Sequence, residues 1–262
     1  MRQVFRMRPW VFPPEPAPIA EIFKRHGKRR DYPKGSGMPH GGLGDTAQVG
    51  YLVSGLATFS CMDVMKQLHI FALLAPGRCL ADLDALNPHR VNVMVEFIRP
   101  STVLLVPRKT FIAGLRQSID TMQLYADLAI LKEESVIEGM LANFTLDMDS
   151  RLRVFLISAI SSFSELRNDG WNECPLGLTI TELSRIISAN RSWVSTKVGE
   201  WVKAGLARKE GRRLLVHGKL FENIWDWGRG TGVQPSGLMA EPRMDRLYSP
   251  QILPPELCPR ED

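Results

Sequence analysis

The chain lacks the features that mark most metalloproteins, membrane proteins and secreted proteins. Only four cysteines and five histidines occur in 262 residues, too scattered for a CxxC pair or a metal-ligand spacing. No apolar run approaches the length that spans a bilayer, and the N-terminal segment has no continuous hydrophobic stretch of the kind found in signal peptides. We therefore expect a reduced cytoplasmic protein with no metal, no cofactor and no membrane partner.

Patterns of catalytic residues are also lacking. The sequence contains no nucleophile–base pair, no Gly-rich phosphate loop between a strand and a helix, and no carboxylate pair on one element. What the chain does have is concentrated positive charge. The formal net charge is +5, and residues 179–217 alone hold eight Lys and Arg against three Glu, the same surplus. Such a block is typical of contact with a polyanion, and a solvated basic surface is the alternative.

The first half of the chain has the texture of β-structure. Between residues 36 and 118, short β-branched runs at 49–60, 68–77, 90–100 and 102–108 are separated by glycine and proline. In one run Val91, Val93, Val95 and Phe97 alternate with residues that include Asn92 and Glu96, which is the pattern of a half-buried strand. Several short strands in so few residues predict a small barrel or jelly-roll-like sandwich.

A long helix is predicted next, over residues 119–146. Residues 120–144 contain no proline and a single glycine, and Leu124, Leu128 and Leu131 follow the 4-then-3 spacing of a coiled-coil seam. A helix of this kind either packs on its own domain or pairs with a second copy, and we predict a homodimer. Residues 1–35 are proline-rich and basic, with one short helix around 19–26, and residues 228–262 are Pro/Gly-rich and predicted to be disordered.

The basic block has the pattern of a helix-turn-helix. Thr179 and Glu182 form a capping box for a first helix, and Asn190 is a good N-cap for a second. The second helix buries Val194 and Val198 with Trp201 or Val202. Its opposite face carries the residues that we predict to read bases: Arg191, Ser192, Ser195 and Thr196.

The chemistry of these residues suits duplex DNA. An arginine at the start of a helix can donate two parallel hydrogen bonds to a guanine edge, and short hydroxyl side chains let the helix come close to the bases. After the helix, residues 207–217 predict a hairpin turning near residues 210–212, which would act as a wing on the DNA backbone. The predicted backbone contacts are Thr179, Thr181, Asn190, Lys197, Lys203, Arg212 and Arg213.

This arrangement resembles the CRP/FNR family of bacterial transcription regulators over residues 40–225. Residues 44–59 are similar to its early β-roll segment, with Gly55 at the final glycine, and residues 181–216 are similar to its recognition helix and wing. The resemblance implies a cyclic-nucleotide-binding-like β-roll, a long dimerisation helix and a winged helix-turn-helix. The family's base-reading positions fall on Arg191, Ser192 and Thr196, of which only the first matches the cyclic AMP-responsive pattern.

The effector pocket implied by the resemblance departs from the family pattern. Its phosphate cassette aligns with residues 77–82 and with Arg90-Val91, so that Asp82 replaces the ribose-binding glutamate and Ala81 a glycine. Arg90 could still neutralise a phosphate. On the long helix, Val136 and Ile137 stand where hydroxyls meet the adenine, and the loss of such partners weakens binding strongly. We expect no tight cyclic AMP binding, while redox sensing by Cys61 or Cys79 stays open beside a structural role.

The sequence thus predicts an α+β protein: a basic segment (1–35), a jelly-roll-like β-roll (36–118), a long dimerisation helix (119–146), a winged helix-turn-helix (147–227) and a tail (228–262). The predicted function is transcription regulation by a homodimer on a pseudo-palindromic site in double-stranded DNA, with RNA polymerase as a further candidate partner. The alternative is a protein-interaction scaffold or anti-activator that retains the fold.

Overall fold

The structure is a computed structural model that describes residues 9–38, 47–64, 68–86, 93–211, 213–222 and 224. The chain divides into two compact units, Val11–Ser135 and Met1–Trp10 with Val136–Asp262. We call them the β-roll unit and the C-terminal unit. In the described residues, none of the helices combines the length and apolarity needed to cross a lipid bilayer.

The β-roll unit is built from two four-stranded antiparallel sheets, with strand orders β1-β8-β3-β6 and β2-β7-β4-β5. Its elements are α1 (Ala17–His26), β1 (Lys28–Tyr32), β2 (Gly37–Met38), β3 (Gln48–Ser54), β4 (Ala57–Met62), β5 (Leu68–Leu74), β6 (Cys79–Leu80), α2 (Asp82–Leu86), β7 (Met94–Phe97), β8 (Ser101–Pro107), α3 (Arg108–Leu115) and the first part of α4 (Ile119–Thr145). The predicted β-roll and long helix are confirmed. Val93, Val95 and Phe97 are all buried, as their alternation predicts.

Gly55 divides the predicted 49–60 run into the two strands β3 and β4. Its φ is +97°, a conformation that favours glycine, and a Cβ atom there would stand 2.1 Å from the Ser101 hydroxyl oxygen. The chain therefore reverses at this position and β4 enters the second sheet.

The boundary that we predict at residue 36 is wrong, because the preceding segment belongs to the β-roll unit. Helix α1 lies where the sequence predicts one, but β1 then pairs with β8 from Lys28 opposite Leu105 to Tyr32 opposite Ser101. Only Tyr32 of this strand is buried. A charged strand at a sheet edge protects against unwanted pairing, and its composition resembles that of a loop.

The C-terminal unit contains the rest of α4 and a winged helix-turn-helix. It continues with α5 (Met148–Ser161), β9 (Trp171–Glu173), α6 (Ile180–Ile186), α7 (Arg191–Lys203), β10 (Ala207–Glu210), β11 (Arg213–His217) and a 3₁₀ turn (Gly218–Phe221). The strands form an antiparallel sheet in the order β10-β11-β9. The predicted hairpin is confirmed. Strand β9 is not predicted from the sequence, since three residues give too short a pattern to detect.

The turn between α6 and α7 contains a strained residue. Ser188 has φ +50°, and Ala189 N donates to Ser184 O at 2.8 Å to close the turn. A left-handed conformation costs a non-glycine residue about 1–2 kcal/mol. Replacement by glycine removes this strain, but part of the gain is offset because glycine has a larger conformational entropy in the unfolded state. We expect Ser188→Gly to raise the free energy of unfolding by about 0.5–1 kcal/mol.

Urea unfolding followed by circular dichroism measures this difference. Ala189→Gly is the matched control, because Ala189 has no left-handed backbone to relieve. The control should destabilise the protein, and an equal loss for Ser188→Gly would contradict the interpretation.

Candidate functional site

Helix α6 begins with the predicted capping box. Thr179 Oγ1 accepts from Glu182 N at 3.2 Å, and Thr179 N donates to a Glu182 carboxylate oxygen at 2.8 Å. Leu183 and Ile186 are buried beneath the helix. The Thr179 hydroxyl, predicted to contact DNA, is therefore committed to the cap as an acceptor, while the neighbouring Thr181 is half-buried in the first turn.

Helix α7 separates an apolar side from a polar side. Val194, Val198 and Trp201 are at most 4% exposed. The four predicted base-reading residues all lie on the exposed side, in the first two turns: Arg191, Ser192, Ser195 and Thr196. A short, hydroxyl-rich and arginine-tipped face thus stands open to solvent at the start of the helix.

Asn190 caps this helix and also orients Ser192. The Asn190 side-chain oxygen accepts from Ser192 N at 2.8 Å and from the Ser192 hydroxyl at 2.7 Å. The Ser192 hydroxyl therefore donates its proton within the protein, and its oxygen can still accept a hydrogen bond from a bound partner. The Asn190 amide nitrogen is left to donate outward.

The wing is held by β9 through two side-chain pairs. Arg208 lies over the Trp171 ring at 4.0 Å from its centroid. Arg213 binds both carboxylate oxygens of Glu173, with Nε donating to Oε1 at 2.7 Å. Arg213, which we predict to bind a phosphate, is therefore in an ion pair, and Arg212 lies outside the described residues.

Lys197 is likewise not a free cation. Its ammonium lies 3.1 Å from an Asp149 carboxylate oxygen and 3.3 Å from Glu200 Oε2. Contact with Asp149 raises the pKa of Lys197, although burial opposes this. The helical position of Lys197 suggests exposure, but the side chain is three-quarters buried. Lys203, in the last turn of α7, is exposed as expected.

The seam that we predict on α4 is wrong at its central position. Leu128 is fully buried in the core of the β-roll unit, next to Tyr125 and Phe111, because this side of the helix packs on its own domain. Leu124 and Leu131 are half-buried beside it. A different stripe is exposed on the helix: Ile130, Ile137, Leu141 and Phe144, at 61, 48, 41 and 80%.

The weak effector pocket contains a buried ion cluster that the sequence does not reveal. Lys132 Nζ donates to Asp82 Oδ2 at 2.7 Å and to Glu15 Oε1 at 2.6 Å, and the Tyr125 hydroxyl donates to the same Asp82 oxygen at 3.0 Å. All four side chains are buried. The Asp82 carboxylate is thus paired with the ammonium group of Lys132 and is not a free acceptor for a ribose hydroxyl.

Protonation in the cluster follows from burial and charge. Burial raises the pKa of Glu15, while Lys132 acts to lower it. Burial acts to lower the pKa of Lys132, but the two carboxylates raise it above its ordinary value. Burial also raises the pKa of Cys79 well above its usual range, so its thiol stays protonated. Glu15, Cys79 and Asp82 have ligand atoms within 4.8 Å of one another, yet Lys132 already supplies a positive charge there.

The remaining predicted pocket residues offer no polar binding groups. Val136 is half-buried and Ile137 is exposed on α4, and both side chains are hydrocarbon. Ala81 has φ +59°, a left-handed conformation that favours glycine. Arg90 lies outside the described residues. Cys61 is half-buried, and burial raises the pKa of its thiol too.

No family model matches the chain, and no curated protein matches it. Many solved structures do. A CooA mutant from Carboxydothermus hydrogenoformans is 15% identical with a TM-score of 0.63, covering 79% of this chain and 90% of that chain. FixK2 from Bradyrhizobium japonicum is 15% identical with a TM-score of 0.62, covering 79% and 98%. TTHA1359 from Thermus thermophilus, a CRP/FNR-family transcriptional regulator, is 14% identical with a TM-score of 0.56, covering 78% and 100%. The resemblance predicted from the sequence is therefore confirmed for the fold, which this chain shares with CRP/FNR-family regulators.

Proposed function

We propose that the chain is a sequence-specific DNA-binding transcription regulator in which α7 enters the major groove. The observation that carries this proposal is the exposed first half of α7, with Arg191, Ser192, Ser195 and Thr196 on one side and a fully packed apolar side beneath. A recognition helix contacts bases with its N-terminal residues, which is where these side chains lie.

The charge around α7 supports a polyanionic partner. Arg185 on α6 and Lys203 at the end of α7 are exposed, and the wing adds Arg208 and Lys209. Backbone amides at the N-terminus of α7 that Asn190 does not cap can also receive a phosphate. The fold of TTHA1359, described as a transcriptional regulator, agrees with this role.

We further propose that the regulator is a homodimer joined along α4. Ile137, Leu141 and Phe144 follow the 4-then-3 spacing of a coiled-coil seam, and Ile130 lies one heptad before Ile137 on the same face. Large apolar side chains exposed along one stripe favour binding to a second apolar stripe, which would remove both from water. Two copies would place two α7 helices on half-sites about one turn of DNA apart.

The β-roll unit is proposed not to bind cyclic AMP. Asp82 is buried and its Oδ2 already accepts hydrogen bonds from Lys132 and Tyr125, so an incoming sugar would compete with both donors for this oxygen. Breaking a buried ion pair of this kind is strongly unfavourable. Calorimetric titration with cyclic AMP should therefore show no heat of binding, and saturable binding would overturn this part of the proposal.

Arg191→Ala tests the base-reading role. We expect binding to the selected operator to weaken by about 1–3 kcal/mol, roughly 5- to 150-fold, because a bidentate contact to guanine is lost. Selection from genomic fragments identifies the operator, and fluorescence anisotropy measures both the operator and a random duplex.

Arg185→Ala is the matched control, because it removes the same charge from α6. Its effect should be similar on both duplexes. An Arg191→Ala loss that is equal on the two duplexes contradicts base reading, and a wild-type protein that ignores all DNA at low salt overturns the proposed function.

A further inference from the structure

Two cations of the DNA-binding region are held by carboxylates from elsewhere in the C-terminal unit. Arg213 on the wing pairs with Glu173 of β9, forty residues earlier in the chain. Lys197 on α7 pairs with Asp149 in the first turn of α5, which also pairs with Arg153, and with Glu200 on α7 itself. Both are the kind of side chain that would otherwise neutralise a DNA phosphate.

The Arg213–Glu173 pair is poorly placed to stabilise the fold. Arg213 and Glu173 are 51 and 39% exposed, and ion pairs at such exposure contribute little to stability because water and salt screen them. The carboxylates nevertheless lie within contact distance of the cations, so any phosphate that approaches meets a competing negative charge. Their effect is therefore expected on an anionic partner more than on folding.

The base-reading side of α7 is different. In the described residues, Arg191, Ser195 and Thr196 form no ion pair or hydrogen bond through their side chains, and Ser192 bonds only its own N-cap residue. The carboxylates thus oppose contacts that carry no sequence information and leave the sequence-reading contacts unopposed.

We propose that Glu173 and Asp149 attenuate sequence-independent DNA affinity by competing with phosphates for Arg213 and Lys197. This inference rests on the proposed DNA-binding function. When a phosphate reaches Arg213 or Lys197, the carboxylate either loses its partner or repels the phosphate, and in both cases the gain from the contact is reduced. Removing the Glu173 charge should release one additional phosphate contact at Arg213, and removing the Asp149 charge should have a smaller effect because Lys197 still pairs with Glu200.

Glu173→Gln in the full-length chain tests the proposal, with a random duplex of about 30 base pairs titrated between roughly 50 and 200 mM KCl. Each added phosphate contact steepens the dependence of log K on log salt by about 0.9. The decline in affinity across this salt range should grow by roughly three- to fourfold per contact, and by about tenfold where both wings of a dimer engage. Affinity at the low-salt end should rise, and Asp149→Asn should act in the same direction.

Glu165→Gln is the matched control, because it makes the same change in net charge at an exposed carboxylate that pairs with neither cation. Glu173→Gln is also measured in an Arg213→Gln background, where its effect should vanish. The proposal is overturned if Glu173→Gln has the wild-type salt slope, or if its effect equals that of Glu165→Gln or persists without Arg213. Wild-type protein that binds no DNA would instead overturn the proposed function itself.

Discussion

Lys132→Met is expected to lower the free energy of unfolding by about 3–5 kcal/mol, as found when one partner of a buried ion pair is removed. The methionine fills much of the lysine volume, but it leaves Glu15 and Asp82 facing each other without a cation. Neither carboxylate has water to replace the lost partner, since both are buried. Urea unfolding measures the loss, and thermal unfolding should show a Tm lower by about 2–4 °C per kcal/mol.

The control is Lys24→Met, because Lys24 is exposed on α1 and its replacement should change stability by less than about 0.5 kcal/mol. Adding Glu15→Gln and Asp82→Asn to Lys132→Met removes both orphaned charges and should restore part of the stability. Equal stability of Lys132→Met and Lys24→Met would show that the ion cluster is not what holds α4 to the β-roll.

The pH dependence of Lys132→Met follows from Glu15. Its pKa is already raised by burial, and removal of Lys132 takes away the main influence that lowers it. An acid with a raised folded-state pKa gains stability when protonated, so the contribution is present at low pH and lost as the pH rises through the folded pKa. The deficit of the variant should therefore shrink as the pH falls from about 7 toward 5.

The same cluster explains why the sequence predicts the length of α4 but not its buried side. Six buried positions follow a regular 3-and-4 spacing, and the last four of them are polar or small: Tyr125, Leu128, Lys132, Ser135, Gly139 and Ala142. Glu138 is buried beside them. A count of apolar residues therefore favours Leu124 and Leu131, which are only half-buried. The cations and carboxylates that satisfy one another come from residues 15, 82 and 132, and no local pattern links them.

The winged helix-turn-helix was easier to predict, because caps, turn and alternation are local. Thr179, Glu182 and Asn190 have the roles that their spacing predicts, and the apolar and polar sides of α7 separate as expected. The ion pairs of two predicted phosphate contacts could not be predicted, since Asp149 and Glu173, which pair with Lys197 and Arg213, lie 48 and 40 positions away in the chain. Charge in a sequence shows where cations are, and only the fold shows which of them are already paired.

Ile137→Glu combined with Phe144→Glu is expected to convert the proposed homodimer to a monomer. Operator binding should weaken by about 10²–10⁴-fold, because each α7 then binds its half-site alone and the gain from linking two sites is lost. Both side chains are exposed in the single chain, at 48 and 80%, so the glutamates meet water when the partner is absent and folding should be unaffected. In a dimer seam they would face the same charges from the other copy.

Sedimentation equilibrium checks the oligomeric state, with 29.5 kDa expected for the variant and twice that mass for the wild type. Ile137→Val with Phe144→Leu is the matched control, because it keeps the stripe apolar and should leave both mass and operator affinity near those of the wild type. A dimeric double-glutamate variant would mean that copies join elsewhere. A monomeric variant that still binds the operator like the wild type would mean that one α7 is sufficient. If two copies bind, the number of phosphates contacted, and with it the salt slope, should halve when one helix leaves the DNA.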